Sequence, residues 1–249
     1  MNNESNIIKI GTKEFSSKEE AYEFCNNVEE LNNMKAFLDI KKQKIKTNIK
    51  VDQQGRLVLE EGTYIHGIEF DENNLINIKN EGLVAPEFRT NIGDTIYMRS
   101  LCVFEVNKNQ SLRQYYNKYS NLSRENFDEG TGCGKSYYNG VGFALAEEAR
   151  YLPIETSKNK IAFIINPNEY TKKFKKDKLN KGLPDEYNRG YEIPIGLPSN
   201  LISGIMITRK LVNDKPKIAK LKQIFQDKYI VTPDGEIINK LQKDIEFER

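Results

Sequence analysis

The chain has no tryptophan, a single histidine and only three cysteines in 249 residues. The cysteines, Cys25, Cys102 and Cys133, are odd in number and far apart. That excludes a disulfide framework or a zinc-ligand spacing and points to a reducing compartment. With His66 the only imidazole, a Cys-His catalytic pair at Cys133 is not expected. There is no run of ~18 apolar residues, so no membrane-crossing helix is expected. The first residues, Met1-Asn-Asn-Glu-Ser-Asn6, lack the basic start and apolar stretch of a secretory signal. Charge of one sign is also missing: 38 Lys and Arg against 36 Asp and Glu leave +2, too even for a nucleic-acid footprint. The basic runs Lys41–Lys46 and Lys172–Lys178 read as solvated surface. A chain of this length can bury a sizeable core in one large domain or two small ones.

The apolar pattern changes along the chain. Residues 16–46 carry helical spacing, with Tyr22, Phe24, Cys25, Val28, Leu31, Met34, Phe37 and Leu38 apolar and Ser17 at the N-cap position. Asn32-Asn33 is the expected break between two helices. This predicts an N-terminal helical extension over residues 1–50, with the main domain over 51–249. Strands are expected at Arg56–Leu59 after the turn Asp52–Gly55, and at Thr63–Ile68, Leu101–Val106, Lys160–Ile165, Tyr191–Ile195 and Ile202–Thr208. Asp71 is placed to cap a helix over Glu72–Asn80 that Gly82 stops, and Leu112–Tyr119 and residues 216–226 also read as helices. Residues 84–100 read as irregular and 107–136 as mainly a long loop. Tyr229–Thr232 with Pro233-Asp-Gly235 and Glu236-Ile-Ile238 reads as a hairpin. Strands gathered behind a helical start make the fold class α+β.

Three short patterns carry chemistry. Gly62-Thr-Tyr-Ile-His-Gly67 ends a strand in His-Gly and is followed by a short helix ending in Gly82-Leu83. An imidazole there can hydrogen-bond a ribose hydroxyl, and a glycine lets a flat ring approach backbone amide and carbonyl. A core histidine that merely satisfies a strand end is the plainer alternative. Tyr138-Asn-Gly-Val-Gly-Phe-Ala144 reads as a glycine-rich turn and a short strand, followed by a helix ending in Arg150-Tyr151. Arg189-Gly-Tyr-Glu-Ile-Pro-Ile195 places Glu192 inside a strand, ahead of Leu201-Ile-Ser-Gly-Ile-Met-Ile207.

In this order, over roughly residues 60–210, the three patterns resemble the motifs of the ADP-ribosyltransferase superfamily in its His-Tyr-Glu branch. The resemblance implies a split β-sheet core, two facing sheets with NAD in the cleft between them. It implies an enzyme that transfers ADP-ribose from NAD to a macromolecular acceptor, protein or nucleic acid, with release of nicotinamide and no metal. His66 and Gly67 would hold NAD, and Glu192 would be catalytic. The family's second motif usually carries a tyrosine that stacks on nicotinamide. Gly142 stands in its place here, so Phe143 and Tyr151 are the expected stacking residues. Small bacterial transferases of this kind are often toxins or effectors. The expected setting is therefore cytoplasmic, or a host cytosol for a delivered effector.

Glu192 has a direct chemical rationale. Breaking the bond between nicotinamide and ribose develops oxocarbenium character, as in glycoside hydrolysis. A carboxylate at the ribose 2′-hydroxyl stabilises that charge and can help orient a nucleophile. Glu105, in the strand Leu101–Val106, competes for the role and reads as a sheet-surface residue. Glu129-Gly-Thr-Gly-Cys-Gly-Lys-Ser136 is not a phosphate loop: Glu129 occupies the required first glycine and no apolar strand precedes it. Arg99-Ser100 is accompanied in the chain by neither a Ser-Thr-Ser strand nor a suitable Glu-x-Glu pair, which sets aside the other branch of the superfamily. Two alternatives stay open: a non-catalytic NAD-like or protein-binding module on the same fold, and an RNA 2′-phosphotransferase-like enzyme.

Overall fold

The computed structural model describes residues 7–46, 49–88, 100–120, 160–174 and 189–239. It opens with a hairpin of β1 (Ile8–Ile10) and β2 (Lys13–Phe15), too short to show in the residue pattern. Helix α1 (Lys18–Glu23) starts where Ser17 accepts the Glu20 N–H, as the sequence predicts. The break between the two helices lies earlier than Asn32-Asn33. Asn27 accepts the Glu30 N–H at 2.9 Å and the Glu30 carboxylate accepts the Asn26 N–H at 2.8 Å, so α2 (Val28–Lys41) begins there. Both asparagines fall inside α2, where side-chain capping at Asn27 outweighs their weak helix propensity.

Strands β3 (Lys50–Val51) and β4 (Leu57–Leu59) flank the expected turn, which Asp52 closes by accepting the Gln54 and Arg56 N–H groups. β5 (Tyr64–Glu69) leads to α3 (Glu72–Glu81), capped by Asp71 through the Asn74 N–H at 2.7 Å and stopped at Gly82. The stretch that reads as irregular holds β6 (Leu83–Val84) and a 3-10 turn, Pro86–Phe88. β7 (Ser100–Glu105), β8 (Gln110–Ser111) and α4 (Leu112–Ser120) follow. Beyond β9 (Lys160–Ile165), the lysine-rich run begins as a helix, α5 (Glu169–Phe174), because Asn168 caps it through the Thr171 N–H. β10 (Arg189–Pro194) and β12 (Gly204–Ile207) are the strands predicted in that region, and between them lies the short β11 (Gly196–Leu197), which the residue pattern does not mark. β10 stops before Ile195, which turns out of the strand with φ +65°. The chain then runs through α6 (Arg209–Val212) and α7 (Lys215–Ile224) to β13 (Tyr229–Val231). The terminal hairpin forms as a single antiparallel bridge, Val231 with Ile237.

The protein is mixed α+β, with one six-stranded sheet and three small ones among the described residues. The main sheet runs β10-β7-β5-β9-β12-β13, antiparallel except for the parallel pair β12 and β13. β9 is apolar at Ile161–Ile165, and both faces of the sheet are therefore buried. On one face Tyr64, Phe163, Tyr191, Ile205 and Ile230 pack with Leu75 and Ile78 of α3 and with Leu221 and Phe225. On the other, Ile65, Ala162, Ile164 and Met206 pack with Leu57 and Leu59 of β4 and with Leu112, Tyr115 and Tyr116 of α4. The N-terminal helices share a third core with the segment after α3: Ile10, Met34 and Phe37 lie buried with Val84, Phe88 and Ile195.

Lys41 corrects the reading of its run as solvated surface. Its ammonium lies 2.6 Å from the Glu81 carboxylate, which is nearly buried, and donates to the Lys9 carbonyl at 2.8 Å. A second ion pair ties α3 to the segment after α7, with Lys79 donating to the Asp227 carboxylate. Burial there favours the neutral acid. The Lys79 hydrogen bond, the charges of Lys228 and Lys79 and a backbone hydrogen bond outweigh it and hold the Asp227 carboxyl below its usual value. Such a group contributes stability that is complete above the unfolded carboxylate pKa and is lost as pH falls through the lowered one. Thermal melts from about pH 6 to about pH 3 should show a steeper acid loss below ~4 in the wild type than in Lys79→Met. Parallel curves would mean that the pair contributes nothing.

Candidate functional site

The main sheet is divided between β5 and β7. β5 pairs with β9 at six positions, Tyr64 to Glu69, and β7 pairs with β10 at six, Ser100 to Glu105. Between β5 and β7 only two rows are joined, Tyr64 with Glu105 and Ile65 with Phe104. From His66 onward one lip of the split is β5 and the other is β7 backed by β10. The direction of the backbone groups follows from the ladder. The Thr63 carbonyl accepts the Val106 N–H, while the Thr63 N–H donates to the Glu60 carbonyl. In phase with that Thr63 carbonyl, Ile65 and Gly67 turn their backbone groups toward β7, while His66 turns its own toward Phe163 of β9. The next pair in phase would be Gly67 with Cys102, and the register ends before it. The Gly67 N–H and C=O therefore face the split as donor and acceptor side by side, on a half-buried residue that has no side chain to cover them.

Glu192 lies in the row of this gap. Its register partner is Cys102, so continuing the row from Gly67 across the split runs through Cys102 to Glu192. His66 belongs to the neighbouring row, that of Tyr191, and to the strand face of Tyr64 and Phe163; it is only 4% exposed. The sequence motifs at His66, Gly67 and Glu192 are thus brought to one division of the sheet. His66 and position 192 occupy alternate rows, so a ligand could meet both only by sitting in the split rather than against one sheet face. Phe143, Tyr151 and Gly142 lie outside the described residues.

Glu105 is not the surface residue its position in the sequence suggests. It is half-buried and accepts a hydrogen bond from the Tyr64 hydroxyl at the last joined rows, where the split begins. Burial, and after it the negative charge of Glu105 and the neighbouring Tyr191, raise the Tyr64 phenol above its ordinary value. The Tyr64 and Tyr191 rings meet edge-on, 6.2 Å between centroids, across the intervening β7. No local pattern marks this group, because its members come from three strands and only the sheet order brings them together.

At the other end the two lips are rejoined. β5 continues through α3 into β6, and β10 continues through Ile195 into β11; β6 and β11 pair as Leu83 with Leu197 and Val84 with Gly196. The split is thus framed by the Ile65–Phe104 row at one end and by the β6–β11 ladder at the other.

Among the described residues, no group of three or more His, Cys, Asp or Glu side chains is arranged to hold a metal ion, and no helix is long and apolar enough to cross a membrane. The chain matches no protein-family model, no curated protein and no solved structure.

Proposed function

We propose that the chain is an NAD-dependent ADP-ribosyltransferase with its site in the split between β5 and β7. The observation that carries this reading is the unpaired turn of the ladder at Gly67, which leaves an adjacent backbone donor and acceptor facing the gap. A nicotinamide carboxamide presents the complementary acceptor and donor. The resemblance of the three motifs supplies the rest: His66 to a ribose hydroxyl, Phe143 and Tyr151 to the nicotinamide ring, and Glu192 to the ribose 2′-hydroxyl. The N-terminal extension and the divided sheet suit the ADP-ribosyltransferase-like core expected from the sequence.

The chemistry asked of these residues is modest. The bond from ribose C1′ to the nicotinamide nitrogen breaks and its electron pair leaves with nicotinamide. A nucleophile on a macromolecular acceptor attacks C1′ and loses its proton. A carboxylate at position 192 stabilises the cationic ribose between these events.

Purified protein incubated with NAD should release nicotinamide, and labelled NAD offered with protein, RNA and DNA should mark one class of acceptor. Binding of NAD without turnover would favour the non-catalytic module, and neither binding nor turnover would overturn the reading. His66→Ala separates ligand from core. It should weaken NAD binding by about tenfold, the worth of one hydrogen bond, a larger effect than its cost to the melting temperature. The burial of His66 speaks for a core role. Unchanged affinity in calorimetry together with a much lower melting temperature would establish that role instead.

A further inference from the structure

The segment before residue 47 has no part in the chemistry above, yet it grips both strands of the ladder that rejoins the lips of the split. On the β6 side, Lys41 at the end of α2 binds Glu81, the last residue of α3, 2.6 Å away. Thr12 donates its backbone N–H to the Phe88 carbonyl at 2.9 Å, just past β6. On the β11 side, the Asn200 side-chain amide donates to the carbonyls of Ile40 at 2.6 Å and Gln43 at 2.8 Å. Between these arms sits Ile195, a β-branched residue at φ +65°, a backbone region such residues rarely enter. It persists there because its surroundings over-determine it. Its side chain, 2% exposed, is buried with Ile10, Met34 and Phe37 of the N-terminal segment, and its carbonyl accepts the Ala85 N–H at 2.8 Å. The next carbonyl, that of Gly196, accepts the Tyr170 hydroxyl at 3.3 Å.

We propose that residues 7–46 are a positioning clamp on the β6–β11 ladder, acting through the corner at Ile195 to fix where β10 ends and so where Glu192 stands relative to Gly67. The catalytic part of this rests on the transferase reading; the mechanical part does not. The clamp residues touch no reacting atom. Their loss should therefore lower kcat for NAD and leave KM nearly unchanged, since small displacements remote from the chemistry cost turnover by up to ~10²-fold.

The test uses the full chain, with Lys41→Met for one arm and Asn200→Ala for the other, the latter serving alone if the former does not fold. Steady-state kinetics with NAD and amide hydrogen exchange are measured on each. The expected result is a kcat lowered by at least about tenfold at near-constant KM. The amide of Ala85, bonded to Ile195, should exchange at least about tenfold faster, while the amides of β9 keep their rates. Unchanged exchange at Ala85 would overturn the clamp, as would equal acceleration in β9, which marks general destabilisation. Faster exchange at Ala85 with unchanged kcat would overturn its role in positioning. A wild-type protein that neither binds nor cleaves NAD would overturn the transferase reading, and exchange alone would then decide whether the clamp exists.

Discussion

Glu192→Gln should reduce NAD turnover and ADP-ribose transfer by ~10²-fold or more, with the melting temperature essentially unchanged. The amide keeps the size and much of the hydrogen-bonding capacity of the acid and loses only its charge. A cationic ribose is a feature of the transition state rather than of bound NAD, so the loss should fall on kcat. NAD affinity measured by calorimetry should move little. Steady-state nicotinamide release in wild type and variant checks this directly. A variant that retains activity would remove Glu192 from the site. Glu105→Gln is then the informative comparison, because the hydrogen bond from Tyr64 ties that carboxylate to the closed end of the split. Its substitution should loosen the strands without the specific loss of turnover.

The second large effect is mechanical. Gly82→Ala and Gly196→Ala should each destabilise the protein by roughly 4 kcal/mol or more, or prevent folding. A β-carbon at Gly82 would stand 2.2 Å from the Leu197 carbonyl oxygen and 2.7 Å from the Pro198 α-carbon. One at Gly196 would stand 2.2 Å from the Leu83 carbonyl oxygen and 2.7 Å from the Val84 α-carbon. The obstacles are the backbone of the ladder itself, which cannot rotate away as a side chain can. Both residues also hold positive φ, +103° and +132°. Gly55 separates the two causes, since its φ is +73° and nothing lies within 4 Å of its missing β-carbon. Gly55→Ala should therefore cost only the conformational part, about 1 kcal/mol. Urea denaturation of the three variants measures the difference. Equal losses in all three would show that close approach at the ladder carries no weight.

The sequence by itself determined what depends on near neighbours. Ser17 and Asp71 announce their helices because a short side-chain oxygen can satisfy the free N–H groups of a first turn. Asp52 to Gly55 announces a turn for the same local reason, and Lys160–Ile165 a buried strand because its apolar run has nowhere else to go. The α+β class and the placement of His66, Gly67 and Glu192 on strands follow from such patterns, and so does the order of the three motifs. Tertiary structure decided everything that depends on which strands lie side by side. It set β5 between β7 and β9, joined β12 and β13 in parallel, and ended the β5–β7 ladder at Ile65. It drew Lys41 from an apparently solvated run onto Glu81 and Glu105 from the sheet surface onto Tyr64, and it put Ile195 into a left-handed corner. The physical reason is range. A cap or a turn is settled within four residues, whereas the partner of β7 is chosen by burying two sheet faces at once, a balance no local window contains.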